Sequence, residues 1–292
     1  MAGIDGAALG FALGAAVLFA AALVFGAIGL RHRSARRGAA VSIPTAAVFF
    51  LLISPAALDV TGLSWTAVLI FAAVGLAYPA LATLLTFEAS RRAGPGIAGA
   101  LGNLAPLFAV LFAALALGET PPTVRAAGIA VIVAGVMLMS FPGKGPIRTV
   151  AGWALILPLI AAAMRGAIQP AVKAGLALWP EPFAASLIGY VVSAAIVIGT
   201  AGLGGEPPAP KPRRAGILWF ALVGMCNGLA VLSLYAALGR APVTVVAPLV
   251  AVYPLFTLIF GALVPRGAPC PSRREAAGIV ATVAGVALLL VD

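Results

Sequence analysis

Charged residues are scarce in this chain of 292 residues, where Asp, Glu, Lys and Arg together make up 9%. Soluble domains carry about 25%. At the same time 63% of the residues are hydrophobic, more than a globular core of this size can hide from water. The low charge therefore excludes a soluble enzyme and a disordered chain. These proportions predict an integral membrane protein.

Histidine and cysteine are also scarce. The single histidine, His32, lies among arginines, so no cluster of metal ligands can be built around it. The two cysteines cannot form a disulfide framework. No phosphate-binding GxxxxGK[ST] sequence is present. We therefore predict that the protein is not an enzyme and has no catalytic residue, no metal and no cofactor.

Long apolar runs fill the chain instead. A membrane-spanning helix needs about 20 apolar residues, whereas barrel strands would show alternating segments of about ten. The sequence predicts an all-α integral membrane fold with ten transmembrane helices. The predicted runs are Ala7–Leu30, Ala39–Leu58, Trp65–Phe87, Pro95–Leu117, Pro121–Phe141, Val150–Leu178, Phe183–Leu203, Ala215–Leu238, Pro242–Val264 and Ser272–Val291.

The basic residues fall between these runs in an alternating pattern. The loops after odd-numbered runs hold 14 of the 18 Lys and Arg residues, and the loops after even-numbered runs hold at most three. Such short clusters are unlike the continuous basic face of a nucleic-acid-binding protein, so we predict no nucleic-acid partner. By the positive-inside rule, the odd loops are cytoplasmic and both termini lie outside the cytoplasm.

The two halves of the chain resemble one another. Residues 92–139 align with residues 240–289, and Pro106-Leu107-Phe108 matches Pro254-Leu255-Phe256. Because each half has five helices, an odd number, the halves must enter the membrane in opposite senses. Such inverted repeats allow a carrier to alternate access around a site between them. We predict two inverted five-helix repeats, over residues 1–142 and 149–292.

Some of these residues match the pattern of a known family. With Ala105-Pro106, Leu117-Gly118-Glu119 and the Ala-Gly pairs of the fifth run, the sequence resembles the EamA-type ten-helix members of the drug/metabolite transporter superfamily. The resemblance implies a carrier that exports its substrate through a cavity lined by helices three, four, six, eight and nine. It also implies cytoplasmic termini, the reverse of the charge count. The second half lacks the Gly-Glu pair and reads Val264-Pro265-Arg266-Gly267 instead.

One charged residue lies deep in an apolar run. Arg165 is near the middle of the sixth run, where snorkelling is difficult and charges mark functional sites by default. Its guanidinium fork suits a carboxylate or phosphate; the alternative is that it anchors helix-end carbonyls or pairs with a loop acid. For the other polar side chains, the alternative is hydrogen bonding between helices. The predicted substrate-binding residues are Arg165, Gln169, Asn103, Tyr78, Asn227, Tyr235 and Tyr253.

Three further features have structural interpretations. Lys173 is predicted to snorkel to the membrane surface, and Glu119 to brace the helix junction at which it lies. The closely spaced Ala and Gly residues of the fifth and tenth runs predict close packing within the monomer, with a dimer face as the alternative.

Together these features predict a secondary transporter, an exporter by the family resemblance, that works by alternating access. Because the only midplane charge is an arginine, the substrate is expected to be a small anionic or zwitterionic metabolite such as an amino acid. The alternatives are an organic-cation or drug exporter and a non-transporting membrane protein of the same fold. Richness in Ala, Gly and Arg favours a bacterial inner membrane. The expected partners are the lipid bilayer and a small-molecule substrate; a monomer is expected, with a dimer as the alternative.

Overall fold

Ten helical segments make up the described part of the protein in its computed structural model, which covers residues 5–93, 98, 101–140, 155–200, 214–263 and 273–290. These residues contain no β-strand, and the all-α prediction is confirmed. The predicted junction between the halves, residues 142–149, lies outside them. The helices are α1 (Gly6–Gly29), α2 (Ala35–Ala57), α3 (Trp65–Gly75 and Ala82–Ala93, joined by a π-helical turn, Leu76–Leu81), α4 (which ends with Ala105–Leu117), α5 (Thr123–Ser140), α6 (Ile156–Leu178), α7 (Pro182–Thr200), α8 (Arg214–Leu238), α9 (Val243–Val250 and Tyr253–Leu263) and α10 (Arg273–Leu290).

Apolar side chains cover the outside of the bundle. Leu52, Trp65 and Leu115 are each at least 75% exposed, as expected of a surface that faces lipid rather than water. Five described segments are long and apolar enough to cross a membrane on length and composition: α1, α2, α7, α8 and α9 read through its turn. Because lipid offers no hydrogen-bond partners, each segment satisfies its own backbone by forming a helix.

Short polar side chains and one glycine set the helix ends. Asp5, Ser34 and Ser64 accept hydrogen bonds from backbone N–H groups in the first turns of α1, α2 and α3. Gly118 ends α4 with a φ of 68°, a conformation that glycine adopts without strain. We name the end of the bundle at which α1 ends and α2 begins the basic side, because the loop there carries Arg31 and Arg33. The end at which α2 ends and α3 begins is the opposite side.

Three helices predicted as continuous runs are interrupted. Inside α3, Tyr78 has extended backbone angles of φ −142° and ψ 136°. α4 is broken by a turn at Asn103-Leu104, and α9 by a turn at Ala251-Val252. In both cases the next helical segment carries a proline at its second residue, Pro106 or Pro254, which has no N–H to donate to the preceding turn. The breaks in α4 and α9 therefore occupy equivalent positions in the two repeats.

Glycines bring α5 and α10 into close contact. A Cβ atom built on Gly128 would lie 2.9 Å from the Gly285 carbonyl oxygen, and one built on Gly135 would lie 2.7 Å from the backbone nitrogen of Thr282. Only hydrogen fits at these positions, so the two backbones approach as small residues allow in membrane helices. The predicted close packing within one chain is confirmed.

Candidate binding cavity

A cavity of about 500 Å³ lies between the two repeats. Its described lining comes from α1 to α4 of the first repeat and from α6 to α9 of the second. Near the basic side its wall is mostly apolar, with Phe19, Leu23 and Phe220 among the lining residues. Leu30 and Ala35, on either side of the first loop, also line it. The cavity therefore extends to the basic side of the bundle.

Polar side chains are concentrated deeper in this cavity. The chain has four tyrosines, two asparagines and one glutamine, and all seven line the cavity together with Arg165. The structure thus brings together every predicted substrate-binding residue. It adds one that the sequence reasoning missed, Tyr190 of α7, which is 2% exposed. These groups are the phenol, amide and guanidinium groups with which a protein can hold a small polar molecule.

The breaks in α4 and α9 meet at the cavity wall. The Tyr253 hydroxyl donates a hydrogen bond of 2.6 Å to Asn103 Oδ1. Each of the two residues lies at the interruption of its own helix, and each belongs to a different repeat. Interrupted helices at a repeat interface are where several transporter folds place their substrate site.

Arg165 lies beside this junction. It is the tenth of the 23 residues of α6, about 14 Å along the helix at 1.5 Å per residue. One guanidinium nitrogen, Nη1, comes within 3.7 Å of a Cβ built on Gly102, just before the break in α4. Arg165 lines the same cavity as Tyr78 and Tyr253. A positive charge therefore faces a ring of hydroxyl and amide groups.

Two uncharged side chains of the lining each have a buried polar atom without a hydrogen-bond partner among the described residues. These atoms are Oε1 of Gln169 and the hydroxyl of Tyr190. Leaving such a group unsatisfied costs about 1–3 kcal/mol. Gln169 is four residues after Arg165 and so lies on the same face of α6. The Gln169 oxygen therefore lies one helical turn from the guanidinium and can accept a hydrogen bond from a bound molecule.

Ser193 of α7 holds Tyr78 in its unusual conformation. In a regular helix the Gly75 carbonyl would accept from residue 79, but that residue is proline and has no N–H. The Ser193 hydroxyl replaces the missing donor at 2.6 Å, and it accepts a hydrogen bond of 3.4 Å from the Ala80 N–H. Ser193 is fully buried. It therefore stabilises the break in α3 from which Tyr78 reaches the cavity.

We expect Ser193→Ala to destabilise the protein, because the Gly75 carbonyl and the Ala80 N–H each lose a hydrogen bond at a buried position. The expected cost is about 1–3 kcal/mol, measured as a lower midpoint of thermal unfolding in detergent. Ser186→Ala is the matched control: Ser186 is also fully buried in α7, but its hydroxyl bonds to Pro182 of its own helix. Equal losses in the two variants would contradict a special role for Ser193.

Lys173 bonds to the backbone where α8 ends, and its predicted position at the membrane surface stays a prediction. Its ammonium donates hydrogen bonds to the backbone carbonyls of Leu238 at 3.3 Å and Ala241 at 2.6 Å. It also lies 3.5 Å from Glu119 Oε1, and its side chain is 27% exposed. The last carbonyl groups of a helix have no partner within the helix, so the end of α8 can accept these hydrogen bonds. The other Glu119 oxygen, Oε2, accepts from the Thr244 N–H at 3.3 Å.

Comparisons with known proteins agree with this architecture. The model of the EamA-like transporter family matches residues 6–141 and again residues 152–291. A search of the curated proteins finds no match. One solved crystal structure of a protein has the same fold, with a TM-score of 0.77 and 20% sequence identity over 96% of this chain and 94% of that one. Because the family model covers nearly the whole sequence, the chain belongs to the EamA-like transporter family, membrane transporters of the drug/metabolite type.

Proposed function

We propose that the protein is a secondary carrier that exports a small anionic or zwitterionic metabolite, such as an amino acid, by alternating access between its two repeats. One observation carries the proposal: Arg165 is the only charged residue in the described lining of the cavity. A molecule bound there meets one positive charge and no carboxylate from the described lining. Anions and zwitterions are favoured by that balance, whereas a lone cation is repelled.

The groups around Arg165 suit the two ends of a zwitterion. The guanidinium can hold a carboxylate through two parallel hydrogen bonds. The free Oε1 atom of Gln169, one helical turn away, can accept from an ammonium group. Phe19, Leu23 and Phe220 offer an apolar wall to the rest of the molecule. An amino acid with an apolar side chain fits this division of the cavity.

Ligand-dependent thermal stabilisation of the purified protein tests the proposal. Amino acids, organic phosphates and organic cations are screened as three groups, each at several concentrations. A ligand present at 100 times its Kd should stabilise the protein by about 2.7 kcal/mol. We expect stabilisation by the amino acids or the organic phosphates and none by the cations. Stabilisation by cations alone would contradict the proposed substrate class.

Export of organic cations is the second candidate, and one observation favours it. All four tyrosines of the chain line the cavity, and aromatic faces attract cations through their ring electrons. Arg165 opposes this attraction because it places a like charge in the same space. The same ligand panel separates the two candidates.

The alternation of basic loops supports an orientation with both termini outside the cytoplasm, and the richness in Ala, Gly and Arg supports a bacterial inner membrane. We therefore expect a C-terminal alkaline phosphatase fusion, which folds only outside the cytoplasm, to be active. A C-terminal green fluorescent protein, exported unfolded, is expected to stay dark. Fluorescence from that fusion would show that the termini are cytoplasmic, as the family resemblance implies.

A further inference from the structure

Glu119 and Lys173 connect two groups of helices at the opposite side of the bundle. Both residues belong to the group formed by α4 and α6, which pack on each other. Their partners belong to the second group, in which α8 and α9 pack on α1. Lys173 binds the carbonyl groups of Leu238, the last residue of α8, and of Ala241 just after it, and Glu119 binds the first turn of α9. These hydrogen bonds thus join two groups of helices that lie on different sides of the cavity.

The cluster lies directly beyond the closed end of the cavity. On α6, Lys173 follows Gln169 by one turn and lies on the same face. On α8, Leu238 follows the cavity residue Tyr235 by three positions, and on α9, Thr244 precedes the cavity residue Ala247 by three. Each cavity-lining face therefore ends at a residue of this cluster. On these three helices, the cluster lies between the cavity and the opposite side.

The sequence provides this cluster in only one repeat. Helices α1 and α6 end at equivalent positions, Gly29 and Leu178, which are 149 residues apart. The same offset places Val24 where the second repeat has Lys173. The counterpart of Leu117-Gly118-Glu119 reads Val264-Pro265-Arg266-Gly267 and has no carboxylate. The positions that the repeat relates to Glu119 and Lys173 therefore carry no Glu–Lys pair.

We propose that Glu119 and Lys173 form a one-sided lock that holds the carrier closed at the opposite side and sets its resting state open toward the basic side. The proposal rests on the proposed function only in treating the cavity as the transport path. The two repeats share a fold, but this pair stabilises only one of the two access states of the carrier. Opening toward the opposite side requires three hydrogen bonds to break, those that the side chains of Lys173 and Glu119 form with backbone groups of α8, of the turn after it and of α9.

Distance measurements between two spin labels test the lock. One label replaces Gly6 at the start of α1, where a built Cβ meets nothing within 4 Å, and the other replaces Leu178 at the end of α6, which is 49% exposed. Both lie at the opposite side, one in each group of helices. The protein is studied in lipid nanodiscs, without ligand, after Cys226 and Cys270 are replaced by alanine. We expect one short distance in the otherwise unchanged protein.

Glu119→Gln is expected to raise the ratio of long to short distances about tenfold, the size that follows from the loss of a charge-assisted hydrogen bond. Lys173→Met should act in the same direction. Glu119→Gln keeps the shape of the side chain, so this variant tests the lock even if Lys173→Met fails to fold. An unchanged distance distribution in Glu119→Gln would overturn the proposal.

Glu88→Gln is the matched control, because Glu88 pairs with Arg92 within one helix. We expect it to leave the distances as they are. An equal lengthening in Glu88→Gln would mean general loosening and would also overturn the lock. Because no ligand is present, a negative result here leaves the ligand-panel test of the proposed function unaffected.

Discussion

Arg165→Ala is expected to abolish the binding of anionic and zwitterionic ligands to the cavity while the protein stays folded. The guanidinium is the only charged group in the described lining, and nothing nearby can replace its two parallel donors. Hydrogen bonds to a charged group contribute about 1.5–3 kcal/mol each. Removing both bonds of a bidentate pair therefore weakens binding by at least about 100-fold. The measurement is the ligand-induced shift of the unfolding midpoint, compared with that of the unchanged protein.

Two further variants sharpen this test. Arg165→Lys keeps the charge but not the fork, and we expect it to bind weakly rather than not at all. Arg240→Ala removes an arginine that lies over the Phe11 ring and outside the described cavity lining, so it should bind as the unchanged protein does. If Arg165→Ala responded to ligands like the unchanged protein, Arg165 would be a structural residue and the proposed substrate class would be wrong.

Gly135→Leu is expected to have the largest effect on folding. A Cβ at this position would lie 2.7 Å from the Thr282 nitrogen and 2.8 Å from the Gly278 carbonyl oxygen. Both are backbone atoms of α10, so no side-chain rotation can relieve the overlap and the helices have to separate. Overpacking in a rigid core costs about 3 kcal/mol at the upper end of its usual range. We expect a loss of folded protein in size-exclusion chromatography and a clearly lower unfolding midpoint.

Gly10→Leu provides the control for that substitution. A Cβ built on Gly10 meets nothing within 4 Å, and the residue is exposed on α1. The same change of residue therefore adds bulk without overlap, and the unfolding midpoint should stay within about 1 °C of the original. Equal damage from both substitutions would contradict the close contact between α5 and α10.

Ten helices could be predicted from the sequence because each apolar run has to satisfy its own backbone in lipid. The interruptions in α4 and α9 could not be placed, although their cause was visible. Pro106 and Pro254 served as markers of the repeat, but a proline near the middle of a run can either kink a helix or begin a new segment. The choice of a new helical segment at each proline depends on the packing of the two repeats, in which Tyr253 is bonded to Asn103.

The predicted site residues all line one cavity. They could be found from the sequence because polar residues are few in the apolar runs. Tyr190 was missed because nothing in its own helix distinguishes it from an aromatic side chain at a helix interface. Ser193 was missed for a related reason: its partners, Gly75 and Ala80, lie 118 and 113 residues away in sequence. The partners of Lys173 were missed in the same way, because Leu238 and Ala241 lie 65 and 68 residues away in sequence.

Exchange of substrate across a membrane tests the central claim, that the cavity between the repeats is a transport site for anions or zwitterions. Liposomes containing the protein are loaded with an unlabelled ligand from the panel and diluted into a trace of the same ligand with a radioactive label. A carrier that alternates access accumulates the label inside, and we expect this for an anionic or zwitterionic ligand and its loss in Arg165→Ala. If the label never accumulates above the level of protein-free liposomes, or accumulates only for cations, the account is contradicted.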